Sequence, residues 1–593
     1  MQLRAVTSFF AGGVAAGGLG GVVLILIAAV GLRRPPSIVV TAGIVVVVAL
    51  AAWAARLGLA GVTFRLGAAL AGLVVAVRAL MVDGGLGQVE WLAVAASALA
   101  VAAGPGLLAP LTRPVPRWVV LAGLVVLASG LVRVVIGGGG FGHDESAYAL
   151  KGRAWIQGTP GTGWAIHRGW IQSVLAAAVL PFTSSELVMR LVSVTLTVGT
   201  VVAVWWLGRT VRSNRVGLVA AAVFATGPSL LRRGAEFLTD VPSTGLLLVV
   251  TVILWRWLTV PRPRPALLWW AVVVGAVAFY WRYQALLSLG LLFVGTVIAF
   301  GPTVKERKGA VLGAAGLGIA LLTPHLVFAS VTTGRPWGVL TFTGEVAGRE
   351  FLGEGLVDYL TDFPDQLAGQ LGAVAIVVAL VWLVWRAGAA VRNRRLEKGD
   401  RLAIYLAVPA LGQILFLGLV SHGEPRFVFY PVALLIVMAA AAVDDLRRRA
   451  SPEWFRVAVA AFSIAVVGLF ALNADRTDRN AESRAASIAV LERASEAVVA
   501  EASGPCGILT GATPQMTWFS GCFTDLPDLR DVVVEFDPTL DVFLVIFENG
   551  RRQPEGEVLD GYIALSEGEP TRLDDPVDSI GDAAIWSLRP TGG

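Results

Sequence analysis

The sequence is poor in charged residues for its length. Only 15% of its 593 residues are Asp, Glu, Lys or Arg, whereas 56% are hydrophobic, and the mean hydropathy is +0.73. A soluble globular chain carries about 25% charged residues. The shortage excludes an ordinary cytosolic enzyme, a disordered protein and a nucleic-acid-binding protein. It predicts a polytopic membrane protein embedded in a lipid bilayer.

Histidine is also scarce, and the chain contains four: His143, His167, His325 and His422. Their spacing matches no metal-ligand pattern. The sequence therefore gives no support to a metal site built from them. The need for a divalent cation as a cofactor is left open.

The acidic residues are unevenly distributed along the chain. Residues 474–593 contain 22 acidic and 9 basic residues, a net charge of −13, whereas residues 1–473 carry +18. The pI of about 9.4 therefore reflects basic loops of a membrane domain and indicates no nucleic-acid partner. We expect three parts, which are extra N-terminal spans at 1–115, a transmembrane core at 116–473 with an outer loop at 137–185, and an acidic soluble domain at 474–593.

About fifteen apolar runs predict transmembrane helices, because a helix needs about 20 apolar residues to cross the hydrocarbon core. They lie near residues 11–31, 38–55, 66–82, 91–110, 118–136, 186–208, 215–231, 241–258, 266–281, 284–300, 310–330, 367–385, 402–420, 427–443 and 454–472. The first run lacks a small-residue cleavage site and further spans follow it, so we expect no cleaved signal peptide.

Basic residues predict the orientation, because short loops rich in Lys and Arg face the cytoplasm. Six connections are basic: Arg113/Arg117, Arg209–Arg215, Arg262/Arg264, Lys305–Lys308, Arg386–Arg401 and Arg447–Arg456. With these inside, the N-terminus is cytoplasmic and the C-terminal domain is extracytoplasmic, and the pair Arg33–Arg34 disagrees. The ratio of 43 Arg to 4 Lys is typical of a GC-rich genome and points to a bacterial plasma membrane.

This orientation decides how two apolar segments are placed relative to the membrane. Residues 169–182 are apolar but too short to cross, and counting them as a span would invert every later basic loop. We expect an amphipathic or re-entrant helix on the outer face. Residues 266–300 have basic flanks on both sides, which predicts two short spans joined by an outer turn at Trp281–Gln284.

The tail predicts a small α/β domain, with a helix over 481–502 and strands over 507–510, 532–536, 542–547 and 584–588. Its two cysteines, Cys506 and Cys522, are the only ones in the chain. An extracytoplasmic tail places them in an oxidising compartment, which favours a disulfide. Two buried free thiols are the alternative.

An acidic pair opens a predicted helix in the first outer loop of the core. Asp144 and Glu145 follow a run of glycines, and Tyr148 and Trp155 share a helix face with Asp144. A carboxylate beside a low-dielectric medium is suited to act as a general base. The alternative is structural, with Asp144 capping the helix and Glu145 favouring its positive N-terminus.

A second acidic site and three arginines lie at the same predicted depth. Asp240 precedes Pro242 at an outer membrane edge, where it is also suited to cap a helix. Arginine's planar fork fits a phosphate held at the membrane surface, although each arginine alone fits an interfacial residue that snorkels to water. The three arginines are Arg190, Arg282 and Arg426.

These residues, in this order, resemble the C-type membrane glycosyltransferases (GT-C fold). The nearest group is that of the protein O-mannosyltransferases and aminoarabinose transferases, families 39 and 83. The resemblance covers about residues 118–473 and departs from the family at His167-Arg168-Gly169, where the family often has histidine followed by two prolines. The matching motifs are Asp144-Glu145-x-x-Tyr148, Arg190-Leu191-Val192-Ser193, Thr239-Asp240-Val241-Pro242, Trp281-Arg282-Tyr283-Gln284 and His422-Gly423-Glu424-Pro425-Arg426-Phe427.

The resemblance implies transfer of a sugar from a polyprenyl-phosphate donor to an acceptor on the outer face, with inversion. The acceptor would be a glycan, lipid or protein of the cell envelope. Asp144 would be the base, with Glu145 and Asp240 as further catalytic candidates, and Arg190, Arg282 and Arg426 would stabilise the leaving lipid phosphate. The remaining substrate-binding candidates are Tyr148, His167, His422 and Glu424.

Three other readings of the sequence are open. A transporter or flippase of polyprenyl-linked glycans would usually show internal repeats and polar groups near the bilayer midplane, and neither feature is evident in the sequence. A non-catalytic scaffold for envelope assembly would not need two acidic sites and three arginines. A ligase that moves a whole glycan from a lipid carrier would use much of the same chemistry.

Overall fold

The computed structural model describes residues 117–158, 168–339, 353–361, 368–421, 423–448, 452–537, 539–577 and 580–588. The four apolar runs predicted before residue 111 and the orientation of the N-terminus lie outside these residues. So do His167 and His422.

The first part of the described chain is entirely helical. Its helices are α1 (Arg117–Gly137), α2 (His143–Gln157), α3 (Ile171–Val179), α4 (Glu186–Val211), α5 (Asn214–Ala225), α6 (Pro228–Ala235), α7 (Asp240–Thr259), α8 (Ala266–Trp281), α9 (Ala285–Glu306), α10 (Lys308–Thr333), α11 (Glu354–Thr361), α12 (Gly369–Asn393), α13 (Lys398–Val420), α14 (Phe429–Arg447) and α15 (Pro452–Glu501). A 3₁₀ turn at Pro425–Val428 leads into α14.

Seven of the described helices are long and apolar enough to cross a bilayer. The pair α5 and α6 adds an eighth if it is one span, although it bends by 74° between Ala225 and Pro228. Pro228 at the first position of α6 has no N–H to continue the ladder, which explains the break. Each run predicted between 118 and 472 coincides with one of these helices or with α1, α8 or α15. The protein is therefore a polytopic helical membrane protein.

The two segments interpreted through the orientation have the expected form. The run at 169–182 forms only the nine-residue helix α3, which buries Gln172, Ser173 and Ala176. The run at 266–300 forms α8 and α9, with Arg282, Tyr283 and Gln284 as the turn between them. The two features lie side by side, because the backbone N–H of Trp170 donates to the carbonyl of Tyr280 at 2.8 Å. They lie at the same end of the bundle as Asp144, because Arg168, two residues before Trp170, pairs with Asp144.

Helix α14 is the centre of the bundle and is buried along almost its whole length. Its Tyr430 hydroxyl bonds to Thr251 Oγ1 of α7 at 2.9 Å, and the Tyr405 hydroxyl of α13 donates to the carbonyl of Thr251 at 2.8 Å. At the far end of α14, Asp444 and Asp445 receive arginines of other elements, including Arg386 at 3.0 Å from Asp445. These contacts fix α14 against its neighbours.

Helix α15 connects the bundle to the C-terminal domain without a break. It is 50 residues long, about 75 Å, and it runs through the predicted boundary at residue 474. Its last turns pack Val490, Leu491, Ala494 and Val498 against the sheet. A continuous helix of this kind holds the C-terminal domain at a set height above the bundle.

The C-terminal domain is a five-stranded mixed sheet with two more helices. The strands are β1 (Cys506–Leu509), β2 (Phe523–Asp525), β3 (Asp541–Phe547), β4 (Thr571–Leu573) and β5 (Ala583–Leu588), and the helices are α16 (Thr513–Ser520) and α17 (Gly556–Ala564). The strand order is β2-β1-β3-β5-β4, in which β1 pairs in parallel with β2 and β3 and β5 runs antiparallel to β3 and β4. The predicted α/β class of the tail is confirmed.

One predicted strand is wrong. Residues 532–536 alternate like a strand, but they pair with no other strand of the described chain. Their apolar side chains pack on the sheet's face, and the Tyr562 hydroxyl donates to the carbonyl of Val533 at 3.1 Å and accepts from its N–H at 3.2 Å. Burial on one face produces the same alternation as a ladder does.

The predicted disulfide is present between Cys506 and Cys522, whose Cα atoms are 4.9 Å apart. It joins the first residue of β1 to the segment that follows α16. We expect the double substitution Cys506→Ser, Cys522→Ser to lower the stability of the C-terminal domain by about 3 kcal/mol, because the bond closes a loop of 16 residues. Thermal unfolding of the purified protein with and without reductant measures this. The double variant should be insensitive to reductant, and an unchanged unfolding temperature would contradict the expectation.

Candidate active site

The site begins at the first turn of α2. Backbone geometry makes Gly142 the N-cap, and Glu145 reaches back to accept its N–H at 2.9 Å, as in a capping box. Glu145 thus has the helix-favouring contact that was expected of it. The alternative in which Asp144 caps the helix is wrong, since Asp144 lies inside the first turn and its carboxylate points to other partners.

Glu145 forms a buried ion pair with Arg190 of α4. The two side chains are 3% and 2% exposed, and both guanidinium contacts to the carboxylate are 2.7 Å. Arg190 also donates to the carbonyls of Gly139 and Gly140, and Glu145 accepts the N–H of Phe237 at 2.7 Å. The pair therefore ties the glycine run, α2, α4 and the chain before α7 into one unit. This burial differs from the phosphate contact expected of Arg190.

Asp144 lies between two guanidinium groups and remains 27% exposed. Arg168 donates to its Oδ1 at 2.8 Å, and Arg426 donates to its Oδ2 at 2.6 Å. Burial opposes ionisation of Asp144, but the two arginines outweigh it and hold the pKa of the carboxyl well below its usual value. Burial likewise opposes the charge of Arg168, and Asp144 reverses the effect, so that the pKa of Arg168 is raised.

Asp240, the first residue of α7, is buried. The N-cap of α7 is Thr239, so Asp240 does not cap the helix as proposed; Arg282, from the turn between α8 and α9, pairs with its Oδ1 instead. Arg282 also lies 3.3 Å from Thr239 Oγ1. A small cavity borders Asp240, Arg282 and Arg426.

The ring of Phe427 joins the two arginine sites. The guanidinium carbons of Arg282 and Arg426 lie 5.2 and 5.7 Å from its centroid. Arg426 also pairs with Glu424. The aromatic ring thus lies beside two cations that line the cavity, and each arginine side chain remains about one-fifth exposed.

The structure therefore assembles most of the predicted residues at one end of the bundle. Tyr148 is buried there, with Arg168 stacked 5.2 Å above its ring and its hydroxyl 3.5 Å from Thr239 Oγ1. Trp155 lies two turns further along α2 and is half exposed. Across the described part of the chain, no three His, Cys, Asp or Glu side chains form a group suited to a metal ion.

Sequence reasoning missed Arg168 and the cluster around Glu236. Glu236 is 3% exposed and pairs with Arg233 at 2.8 Å and with Arg484 of α15. Arg168 directly precedes the apolar run at 169–182, and a charge at the edge of such a run was a usable signal for a site residue. For Arg484 there was no such signal, because it lies in a charged stretch of α15 that is mostly solvated.

Two models of glycosyltransferase families match the sequence. Residues 166–328 match the dolichyl-phosphate-mannose-protein mannosyltransferase family, and residues 366–480 match the Alg9-like mannosyltransferase family. The first range contains Arg168, Asp240 and Arg282, and the second contains Arg426, whereas Asp144 precedes both. No curated protein matches the chain in sequence.

The fold is shared with ArnT from Cupriavidus metallidurans bound to undecaprenyl phosphate. That structure superposes with a TM-score of 0.58 at 13% identity, over 80% of this chain and 98% of ArnT. This chain has the fold of the C-type membrane glycosyltransferases, and two stretches of it match models of mannosyltransferase families. The apo form of the same ArnT gives a TM-score of 0.57 at 12% identity, over 79% and 97% of the two chains. An oligosaccharyltransferase from Archaeoglobus fulgidus, in complex with zinc and sulfate, gives a TM-score of 0.44 at 14% identity, over 68% of this chain and 62% of the oligosaccharyltransferase.

Proposed function

We propose that this glycosyltransferase moves a sugar from a polyprenyl-phosphate donor to an acceptor hydroxyl, with Asp144 as the general base and inversion at the anomeric carbon. One observation carries the proposal. The partly exposed carboxylate of Asp144 pairs with Arg426, and Arg426 and Arg282, each partly exposed, line a small cavity at the same end of the membrane bundle. The ArnT whose fold is shared binds undecaprenyl phosphate, which supports a donor of that class.

The reaction requires one proton transfer and one exchange of bonds at carbon. Asp144 takes the proton of the acceptor hydroxyl while the hydroxyl oxygen attacks the anomeric carbon. The bond between that carbon and the phosphate oxygen breaks, and the electron pair leaves on the polyprenyl phosphate. Arg282 and Arg426 stabilise the charge that grows on this phosphate. Attack from the face opposite the leaving group inverts the configuration.

The resting ion pairs explain how the base becomes active. A carboxylate with a strongly lowered pKa is a weak base, and Arg426 is one of the two groups that lower the pKa of Asp144. The donor phosphate competes for Arg426, because it is a stronger partner for the arginine fork than a single carboxylate oxygen. Donor binding therefore raises the basicity of Asp144 at the time it is needed.

The buried pair beneath the site has a supporting role in this proposal. Arg190 donates to Glu145 and to two backbone carbonyls, and its side chain is buried. Its guanidinium is therefore not accessible to a lipid phosphate. We assign to both residues the positioning of α2, and with it Asp144. Asp240 orients Arg282. His167, His422 and Glu424 keep their expected role as substrate-binding candidates.

The placement of charge argues against a flippase. The ion pairs of the described core lie at its two ends, around Asp144 and Asp240 at one and around Asp444 and Asp445 at the other. Between them, Thr251, Tyr405 and Tyr430 supply hydroxyl groups without charge. A transporter is expected to place its charged substrate site near the midplane.

The basic loops support an outer-face site in the plasma membrane of a bacterium. On this orientation, the end that carries Asp144 and the C-terminal domain is extracytoplasmic. The acceptor is then a glycan, lipid or protein of the cell envelope, and the lipid-linked donor is already at the membrane surface.

Purified protein is expected to release polyprenyl phosphate from one member of a panel of polyprenyl-phosphate sugars when a crude envelope extract is present. The panel includes the mannosyl, arabinosyl and aminoarabinosyl donors, and chromatography of the lipid phase measures the release. Labelled sugar should appear in the extract with the anomeric configuration opposite to that of the donor. Movement of intact donor between leaflets of proteoliposomes, without release of polyprenyl phosphate, would instead identify a flippase.

A further inference from the structure

The C-terminal domain contacts the helix that carries Asp144 through the last turn of α16. Arg153, in the second half of α2, donates to the carbonyls of Thr517 and Trp518 at 2.8 and 3.0 Å. These carbonyls are among the last four of α16, which a helix cannot all satisfy within itself and beside which its dipole favours a cation. The Arg153 guanidinium also lies over the Trp518 ring, 4.8 Å from the ring centroid. Arg153 thus binds both the backbone and a side chain of α16.

Trp518 extends from the C-terminal domain into an apolar cluster of the bundle. Its side chain is buried and belongs to one cluster with Phe141, Tyr148 and Phe237. The ring centroids of Trp518 and Phe141 are 5.4 Å apart, and the fully buried Phe141 stacks on Phe237 at 5.9 Å. The Trp518 Nε1 donates to Glu186 at the start of α4. Trp518 therefore packs between α2, α4 and the chain before α7.

The segment that leads into Asp144 is held by contacts from both the bundle and the C-terminal domain. From the bundle, Arg190 donates to the carbonyl of Gly140 at 2.8 Å. From the C-terminal domain, α16 comes so close that a Cβ at Gly140 would lie 3.0 Å from the ring of Phe519. The next residue, Phe141, packs on α16 as described above. The N-terminal end of α2 is therefore placed against α16 as well as against the bundle.

Helix α16 is itself fixed within the C-terminal domain. The disulfide between Cys506 and Cys522 closes the loop that contains α16. Met516 is fully buried in the apolar core of the domain, and Thr517 Oγ1 bonds to Thr524 Oγ1 of β2 at 2.6 Å. Because α16 is tied to the sheet in this way, its contacts with α2 restrain that helix.

We propose that Trp518 and Arg153 are positioning residues for glycosyl transfer, through which the C-terminal domain holds α2 and with it Asp144. The inference rests on the proposed role of Asp144 as the base. Arg168 and Arg426 reach this carboxylate from other elements, with hydrogen bonds of 2.8 and 2.6 Å that tolerate little displacement. A shift of about 1 Å at a catalytic group can cost about 10²-fold in rate. The C-terminal domain is then part of the catalytic unit.

The first test is Trp518→Ala in the full-length protein, with transfer of labelled sugar measured in single turnovers at saturating donor. Loss of the ring should slow transfer about 10- to 100-fold. The half-saturating donor concentration should not change, because the arginines proposed to bind the donor phosphate are unaltered. Trp518→Phe keeps a ring that can pack on Phe141 and should restore most of the rate. Trp270→Ala removes an exposed tryptophan of α8 and, as the matched control, should transfer at the wild-type rate.

Arg153→Met tests the same contact without disturbing the buried aromatic cluster. The Arg153 side chain is partly exposed, so this variant keeps the proposal testable if Trp518→Ala does not fold. Loss of its two hydrogen bonds to α16 should slow transfer about fivefold to tenfold. Arg153→Lys keeps a cation at the end of α16 and should recover part of the rate. Arg572→Met changes an exposed arginine of β4 and should leave the rate at the wild-type value.

The pH profile separates positioning from a simple loss of folded protein. An inactive fraction lowers the rate by the same factor at every pH. A displaced α2 instead weakens the contacts of Asp144 with Arg168 and Arg426, the two groups that lower its pKa, so the pKa of Asp144 rises. Because a carboxylate acts as a base only when it is ionised, kcat/KM of Trp518→Ala and Arg153→Met should acquire an acidic limb above about pH 4.

The outcomes distinguish this inference from the proposed function. A wild-type rate in either folded variant, Trp518→Ala or Arg153→Met, overturns the positioning role. A rate that falls by the same factor at every pH, with no acidic limb, also overturns it. Both results leave the proposed transfer in place, since the wild-type enzyme is active in the same assay. A wild-type protein that releases no polyprenyl phosphate contradicts the proposed function itself.

Discussion

The Asp144→Asn variant is expected to lose sugar transfer by about 10²- to 10⁴-fold, the range found for removal of a general base. Asparagine has the size of aspartate and can still accept hydrogen bonds from Arg168 and Arg426 through its oxygen, but it cannot take the proton of the acceptor. The loss should appear in the turnover number, with donor binding largely retained. Release of polyprenyl phosphate at saturating donor measures it.

The control for this prediction is Asp560→Asn, an exposed aspartate of the C-terminal domain that should leave transfer unchanged. The pH dependence adds a second check. Because Arg168 and Arg426 lower the pKa of Asp144 in the free enzyme, kcat/KM should show no acidic limb from this group down to about pH 4. Transfer that survives in Asp144→Asn would assign the base elsewhere, with Asp240 as the next candidate.

Removal of Arg190 is expected to destabilise the protein, whereas removal of Arg426 is expected to impair catalysis. In Arg190→Met the Glu145 carboxylate is left buried and unpaired, and breaking a buried pair in this way costs about 3–5 kcal/mol. In Arg426→Met the partner carboxylate is 27% exposed and keeps Arg168, so the folded state changes little. A phosphate-stabilising role nevertheless predicts about 10²-fold slower transfer for Arg426→Met.

Thermal unfolding in one detergent and single-turnover transfer, measured on both variants, separate the two roles. Glu145→Gln should destabilise as Arg190→Met does, and the energies of the two substitutions should not add in the double variant, because they disrupt the same pair. If Arg190→Met folded with wild-type stability and lost only transfer, the positioning role assigned to Arg190 would be wrong.

The membrane architecture was predictable because the bilayer constrains each span locally. A run of apolar residues has to be about as long as the hydrocarbon core is thick, so α4, α7 and α14 could be placed within a few residues of their observed ends. The short helix α3 and the turn at Arg282 followed from loop charge, since a wrong count of spans would have put basic loops on the wrong side.

The pairing of charges could not be predicted in the same way. The sequence indicated Asp144, Asp240, Arg282 and Arg426 as candidates, because an ionisable group at a membrane edge is costly and calls for a reason. Asp144 and Arg426 are 282 residues apart, and nothing local specifies their contact. The same lack of local information made Arg190 a phosphate candidate, although packing buries it against Glu145.

The sequence by itself determined the membrane class, the spans, the disulfide and the group of polar residues from which the site is drawn. These follow from the lengths of apolar runs, the expected placement of the two cysteines in an oxidising compartment and the cost of charge in lipid, none of which requires knowledge of the tertiary contacts. The tertiary structure alone decided which carboxylate faces which arginine, that residues 532–536 pack without pairing, and that α16 lies over α2. Those outcomes depend on side chains that are distant in sequence and meet only when the helices and the sheet pack together.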